Sequence, residues 1–195
     1  MTRTVSRLFD SYSQAQAAVE ALEQAGFTSS EISLVSRYRD DNTLVDGDEV
    51  SSTATGATAG ALVGGGGGLL AALGLIAIPG IGPLVAAGVL ATTLVGAAGG
   101  SVVGGLIGAL TNAGVSEEDA HVYSEGVRRG SSLVTVTTDD ARASKADAIL
   151  NAHKPVDVRQ RREAYVAGGW SKYDPNAKGY TADEIRQERE TYLRR

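Results

Sequence analysis

Between Glu49 and Glu117 run 67 consecutive residues without a charged side chain, and 18 of the chain's 25 glycines fall inside that stretch. A water-facing loop is not built this way, so the block must be hidden from solvent and the rest of the chain arranged around it. Residues 1–49 carry 4 basic and 9 acidic side chains, and residues 117–195 carry fourteen of each. Charge is excluded from one central block only.

Two glycine zippers can be read inside it: Gly56, Gly60, Gly64 and Gly68, then Gly96, Gly100, Gly104 and Gly108. Residues four apart share one face of a helix, so each series forms a smooth ridge that another backbone can approach closely. Between them stands Ile78-Pro79-Gly80-Ile81-Gly82-Pro83, in which Pro79, Gly80, Gly82 and Pro83 read as the turn of a helical hairpin. Legs over residues 54–78 and 83–112 would measure roughly 37 and 45 Å at about 1.5 Å per residue. Both exceed a hydrocarbon layer of about 30 Å, and an even number of crossings returns the chain to its starting side.

Outside the block the pattern is that of an α+β chain. Thr4 to Phe9 reads as a strand; Ala15, Ala18, Val19 and Leu22 recur at helical spacing; Ile32 and Leu34 alternate in a second strand. After the block, Ser116-Glu117-Glu118-Asp119 caps a helix running to Arg129, and Ser132 to Thr137 alternates as a strand. Asp139 and Asp140 open another helix, and Val156 to Arg159 reads as a last strand. Each half is a strand–helix–strand piece that buries its apolar face only by joining the other. The expected fold is therefore a split βαβ, ferredoxin-like four-stranded sheet interrupted by the glycine-zipper helical hairpin. The expected segments are residues 1–38 (first half-domain), 39–53 (acidic linker), 54–113 (hairpin), 114–162 (second half-domain) and 163–195. In the last, Thr181-Ala182-Asp183-Glu184 caps a charged helix with a thin apolar face.

Candidate chemistry is sparse. There is no basic stripe with interleaved aromatics, which argues against nucleic acid as a partner. There is no cysteine, so neither a disulfide framework nor a thiolate site is available. Met1 to Phe9 has no apolar run like a signal peptide, an expectation against export. The glycine run lacks the lysine of a phosphate-binding loop, since the four lysines are Lys145, Lys154, Lys172 and Lys178. His121 and His153 stand on separate helices with no partner cluster, and Glu117, Glu118 and Asp119 sit where a helix dipole favours acids. No nucleophile signature is visible. The expectation is a non-enzyme without cofactor or metal.

Arg128 and Arg129 close a helix, and as positive residues flanking the hairpin they are candidates to touch anionic lipid headgroups. Leg one holds eight glycines, each costing about 1 kcal/mol of helix propensity. It should therefore need neighbouring copies, which makes a homo-oligomer the expected state.

The residues Leu75-Ile76-Ala77-Ile78-Pro79-Gly80-Ile81-Gly82-Pro83-Leu84, the flanking Gly-xxx-Gly runs, and Val115 through Gly130 with its Glu-Glu-Asp-Ala and Gly-Val-Arg-Arg-Gly portions resemble the bacterial general stress protein 17M-like, heat-induced stress protein family. The resemblance covers roughly residues 4 to 162. It implies a stress-associated bacterial protein with a glycine-zipper insertion and no established catalytic residues.

Three functional readings follow from the sequence. The first is a membrane protein that oligomerises through its zipper hairpin in the inner membrane, termini in the cytoplasm, and scaffolds or modifies the bilayer. The second is a cytoplasmic self-assembling ring or particle with the hairpins buried in its apolar interior. The third is a ferredoxin-like regulatory module for a small ligand, by analogy of fold.

Overall fold

The computed structural model describes residues 2–37, 74–78, 82–87, 105–178 and 180–193. In chain order the elements are β1 (Thr2–Phe9), α1 (Tyr12–Gln24), β2 (Ile32–Ser36), β3 (Gly74–Ile78), β4 (Gly82–Ala87), α2 (Gly105–Asn112), α3 (Glu117–Arg128), β5 (Ser132–Asp139), α4 (Asp140–Ala152), α5 (Val158–Ala167) and α6 (Ala182–Leu193). The fold is mixed α and β, with a small antiparallel sheet at its centre.

The heart of that sheet is three strands in the order β1-β5-β2. β5 lies between the two strands of the first half, with Val5 opposite Val136 and Leu34 opposite Val134. The two halves of the chain therefore meet in one sheet, which the interrupted pattern requires. On the far side of β2 the sheet continues through β4 to β3, giving β1-β5-β2-β4-β3 with every pairing antiparallel.

Local chemistry explains the helices that read correctly. Ser11 caps α1 by accepting from the Gln14 N–H, and Ala15, Ala18, Val19 and Leu22 form its buried stripe. Ser116 and Asp139 cap α3 and α4 in the same way, by accepting from the N–H of Asp119 and of Arg142. α3 ends at Gly130, whose φ of +94° is open to glycine at little cost, and the following Ser131 N–H returns to the Gly126 carbonyl at 2.9 Å.

Both faces of the β1-β5-β2 part of the sheet are covered. On one, α1 and α4 enclose Val5, Phe9, Ile32, Leu34, Val134 and Val136. On the other, α2 and α3 enclose Leu8, Val35 and Leu133, joined by Tyr173 from the C-terminal tail. α3 approaches β1 closely, because a Cβ on Gly126 would stand 2.5 Å from the Leu8 side chain.

Four expectations are corrected here. The stretch Val156 to Arg159 is not a fourth strand. Asp157 accepts from the N–H of Arg159 and Gln160, so it starts α5 instead, and all that remains of the edge pairing is the Val156 N–H donating to the Leu8 carbonyl at 2.8 Å. The Pro-Gly-Ile-Gly turn does not join two helices: Gly82 and Pro83 belong to β4, and the strands on either side pair with each other, Ile78 opposite Gly82 and Gly74 opposite Ala86. Pro79 and Gly80 lie outside the described residues.

The membrane hairpin is the third. No helix among the described residues is long and apolar enough to cross a membrane. The physical reason is that residues 74–78 and 82–87, needed by both legs, are spent on strands. The helix described in the second leg is the 8-residue α2, about 12 Å long at about 1.5 Å per residue. Its Leu106, Ala109 and Leu110 are buried against the sheet rather than turned to lipid. The inner-membrane location drawn from the spanning hairpin is not supported by that finding. Of the zipper glycines, Gly56, Gly60, Gly64, Gly68, Gly96, Gly100 and Gly104 lie outside the described residues, and Gly108 stands half-buried in α2.

The fourth concerns Arg128 and Arg129. They turn inward into the protein, onto Glu125 and, for Arg129, Glu188.

Candidate assembly edge and the arginine hub

Among the described residues, β3 pairs with β4 alone. Its register on β4 sets Ala77 opposite Pro83 and Ile76 opposite Leu84, and β4 in turn sits on β2 through Leu34–Ala87, Val35–Ala86 and Ser36–Val85. No described strand lies beyond β3. Its five residues, Gly-Leu-Ile-Ala-Ile, include no charge and no proline.

Pro83 fixes which backbone groups of β3 are already used. Opposed residues in an antiparallel pair alternate between exchanging both hydrogen bonds and exchanging none. Pro83 has no N–H, so the Ala77–Pro83 pair takes the non-bonded place. The pairs Ile78–Gly82, Ile76–Leu84 and Gly74–Ala86 then bond inward, and the N–H and C=O groups of Leu75 and Ala77 face the outer side.

The opposite edge is guarded, with the Ser6 and Leu8 carbonyls engaged. β1 carries Arg3 and Arg7, and Arg7 is engaged by Asp147, by Asn151 Oδ1 at 3.1 Å and by its donation to the Ser6 carbonyl at 2.8 Å. Val156 blocks the Leu8 carbonyl. The Tyr123 hydroxyl donates to the Ser6 carbonyl from α3 at 3.0 Å, and burial, then the Asp119 charge, pushes that phenol up to about 12.

Beyond the end of β2 lies a buried charged hub. Glu125, fully buried, accepts from Arg128 through Nε at 2.9 Å and Nη2 at 2.6 Å, and from Arg129 Nε at 2.6 Å. Arg129 reaches on to Glu188 of α6 at 2.7 Å and lies over the Tyr165 ring of α5, 4.2 Å from its centroid. Burial works to lower the Arg129 pKa, but its hydrogen bonds to Glu188 and Glu125 and their charges outweigh that, so the guanidinium is held above its ordinary value. Arg37, directly after β2, donates to the Arg128 carbonyl at 3.2 Å. Burial, then the Arg128 charge, lowers its pKa.

The hub straps the tail down. Ile185 is fully buried against Gly130, Arg189 donates to the Gly130 carbonyl at 3.2 Å, and Arg128 donates to the Lys178 carbonyl at 3.2 Å. The tail helix begins with the expected capping box, since the Thr181 N–H donates to Glu184 at 2.7 Å and Thr181 Oγ1 accepts from the Glu184 N–H at 3.4 Å. Sequence reasoning missed Arg37, Glu125, Glu188 and Tyr165. The one legible signal was Glu125 three and four residues before two arginines, an i,i+3 and i,i+4 ion-pair spacing.

The remaining candidates are surface groups. His121 Nε2 stands 3.9 Å from Glu117 beside a cleft of about 400 Å³ that also touches Glu118, Arg162 and Trp170. His153 caps the C-terminus of α4. No group of three or more metal-ligating side chains occurs among the described residues. Comparison with protein-family models, with curated proteins and with solved structures finds no match. The stress-family resemblance therefore stands on the residues that suggested it.

Proposed function

We propose that the chain is a non-catalytic protein that associates with copies of itself through its uncharged central segment. The observation that carries this reading is the position of β3, a strand without charge or proline at the end of the sheet order. An edge of that composition is a template for pairing with another chain, and proteins that stay apart normally guard it with charge, proline or a covering element. The length of the uncharged run adds to the case, because 67 such residues exceed what this small sheet needs for its own core. The β1-β5-β2 order, with α1 and α4 on one face, supports a split βαβ origin for the domain, its fourth strand replaced by α5. Stress association is the setting the family resemblance suggests for such an assembly.

Sedimentation velocity of detergent-free protein over a range of concentrations tests the reading. Species larger than the 20.0 kDa chain that grow with concentration are expected. One species of monomer mass at every concentration overturns it.

A further inference from the structure

Among the described residues no strand lies beyond β3, and the backbone register of its outer side is self-complementary. We infer that two copies join edge to edge through β3, antiparallel about a twofold axis at Ile76, making one continuous sheet across the pair. The inference rests on the self-association reading and gives it a partner and a register.

Leu75 and Ala77 each point an N–H and a C=O away from β4, because Pro83 forces Ala77 into the non-bonded place of the β3–β4 ladder. If a second β3 runs antiparallel with Ile76 opposite Ile76, then Leu75 falls opposite Ala77 of the other copy, and Ala77 opposite its Leu75. These are the outward-facing residues on both sides, so each such pair exchanges two hydrogen bonds and the junction closes four. Ile76 meets its own copy in the non-bonded place. A shift of one residue would set outward groups against inward-bonded ones and close none.

Charge selects the same partner. Two copies of β3 bring no like charges together, since the strand has none. Two copies of β1, or β1 against β3, would carry Arg3 and Arg7 into the junction and would have to displace Val156 from Leu8. A twofold antiparallel junction uses the same patch on both copies and therefore closes on itself rather than growing without limit through this edge.

The natural chain has no cysteine, so single substitutions report the register directly. Across a non-bonded antiparallel pair Cα atoms are about 4.5 Å apart and across a bonded pair about 5.5 Å, both inside the disulfide range of about 4.4–6.8 Å. Diagonal neighbours such as Leu75 and the partner's Leu75 stand roughly 7–8 Å apart. Under a mild oxidant, Ile76→Cys should cross-link to a covalent dimer at least ~10-fold faster than Leu75→Cys or Ala77→Cys alone, by the distance dependence of disulfide formation. A mixture of Leu75→Cys and Ala77→Cys chains should cross-link to each other although neither does so by itself, and this arm does not depend on the folding of Ile76→Cys. Protein that sediments as an assembly while neither pattern appears overturns the edge register and leaves self-association standing. Monomers at every concentration overturn both.

Discussion

Along β1, the sheet ends in a strand carrying Arg3 and Arg7, tied to α4 through Asp147 and Asn151, with its Leu8 carbonyl taken by Val156. Along β3 it ends in five uncharged residues, with the backbone groups of Leu75 and Ala77 facing outward and no described strand beyond them. The two edges belong to one antiparallel sheet, so backbone geometry does not distinguish them. Side-chain charge and a single covering segment do, and that difference is why association is proposed through one end of the sheet and not the other.

Breaking the open edge should have the largest effect. Leu75→Pro removes an outward N–H while sparing the inward ladder, and across a twofold junction it deletes two of the four proposed bonds. At about 1 kcal/mol net each, association should weaken roughly 30-fold. The shift in sedimentation midpoint with concentration measures it, and an unchanged midpoint would show that copies meet elsewhere. Opening the guarded edge is the reverse experiment. Arg3→Val combined with Arg7→Val should let assemblies grow through both ends of the sheet, seen as larger species by light scattering. Unchanged size would mean that Val156 and the covering helices suffice without the arginines.

Smaller effects sharpen the guarded side. Asp157→Ala removes the cap that turns the chain into α5, at a cost of about 1 kcal/mol, or a fall in Tm of roughly 2–4 °C for a chain of this size. The smallest effect at neutral pH concerns the buried phenols. Tyr123, which ties α3 to β1, Tyr165 and Tyr173 are each raised to about 12, in every case first by burial. A raised folded pKa gives stability that is complete below the unfolded value near 10 and is lost as pH rises towards 12. Chemical denaturation at pH 9 and pH 11.5 should therefore show a lower midpoint at the higher pH, and phenolate absorbance should rise with unfolding.

Much of this architecture was legible where local and global preferences agree. Ser116 and Asp139 cap the helices they were expected to open, and β1, β2 and β5 follow their alternation. Val156 to Arg159 misled because alternation over four residues is outweighed by an aspartate that satisfies two N–H groups at once. The Pro79–Pro83 region misled in another way: glycine at every fourth place favours a helical reading, yet Ile76, Ile78 and Val85 are β-branched, and two prolines around glycine suit a tight β-hairpin. The hub was not readable at all. Arg128 and Arg129 look like solvated helix-end residues until Glu188, some 60 positions later, and the Tyr165 ring are brought onto them by tertiary packing. Burial of an arginine is decided by such distant partners.

The most direct test of the open edge is residue-resolved amide hydrogen exchange in β3 at several protein concentrations. The Ile76 and Ile78 amides bond inward to β4 and should be protected to the same degree throughout. The Leu75 and Ala77 amides face outward and should become protected only as concentration rises and copies associate. Leu75 and Ala77 amides that exchange fast at every concentration, or are equally protected at the lowest one, would contradict the account.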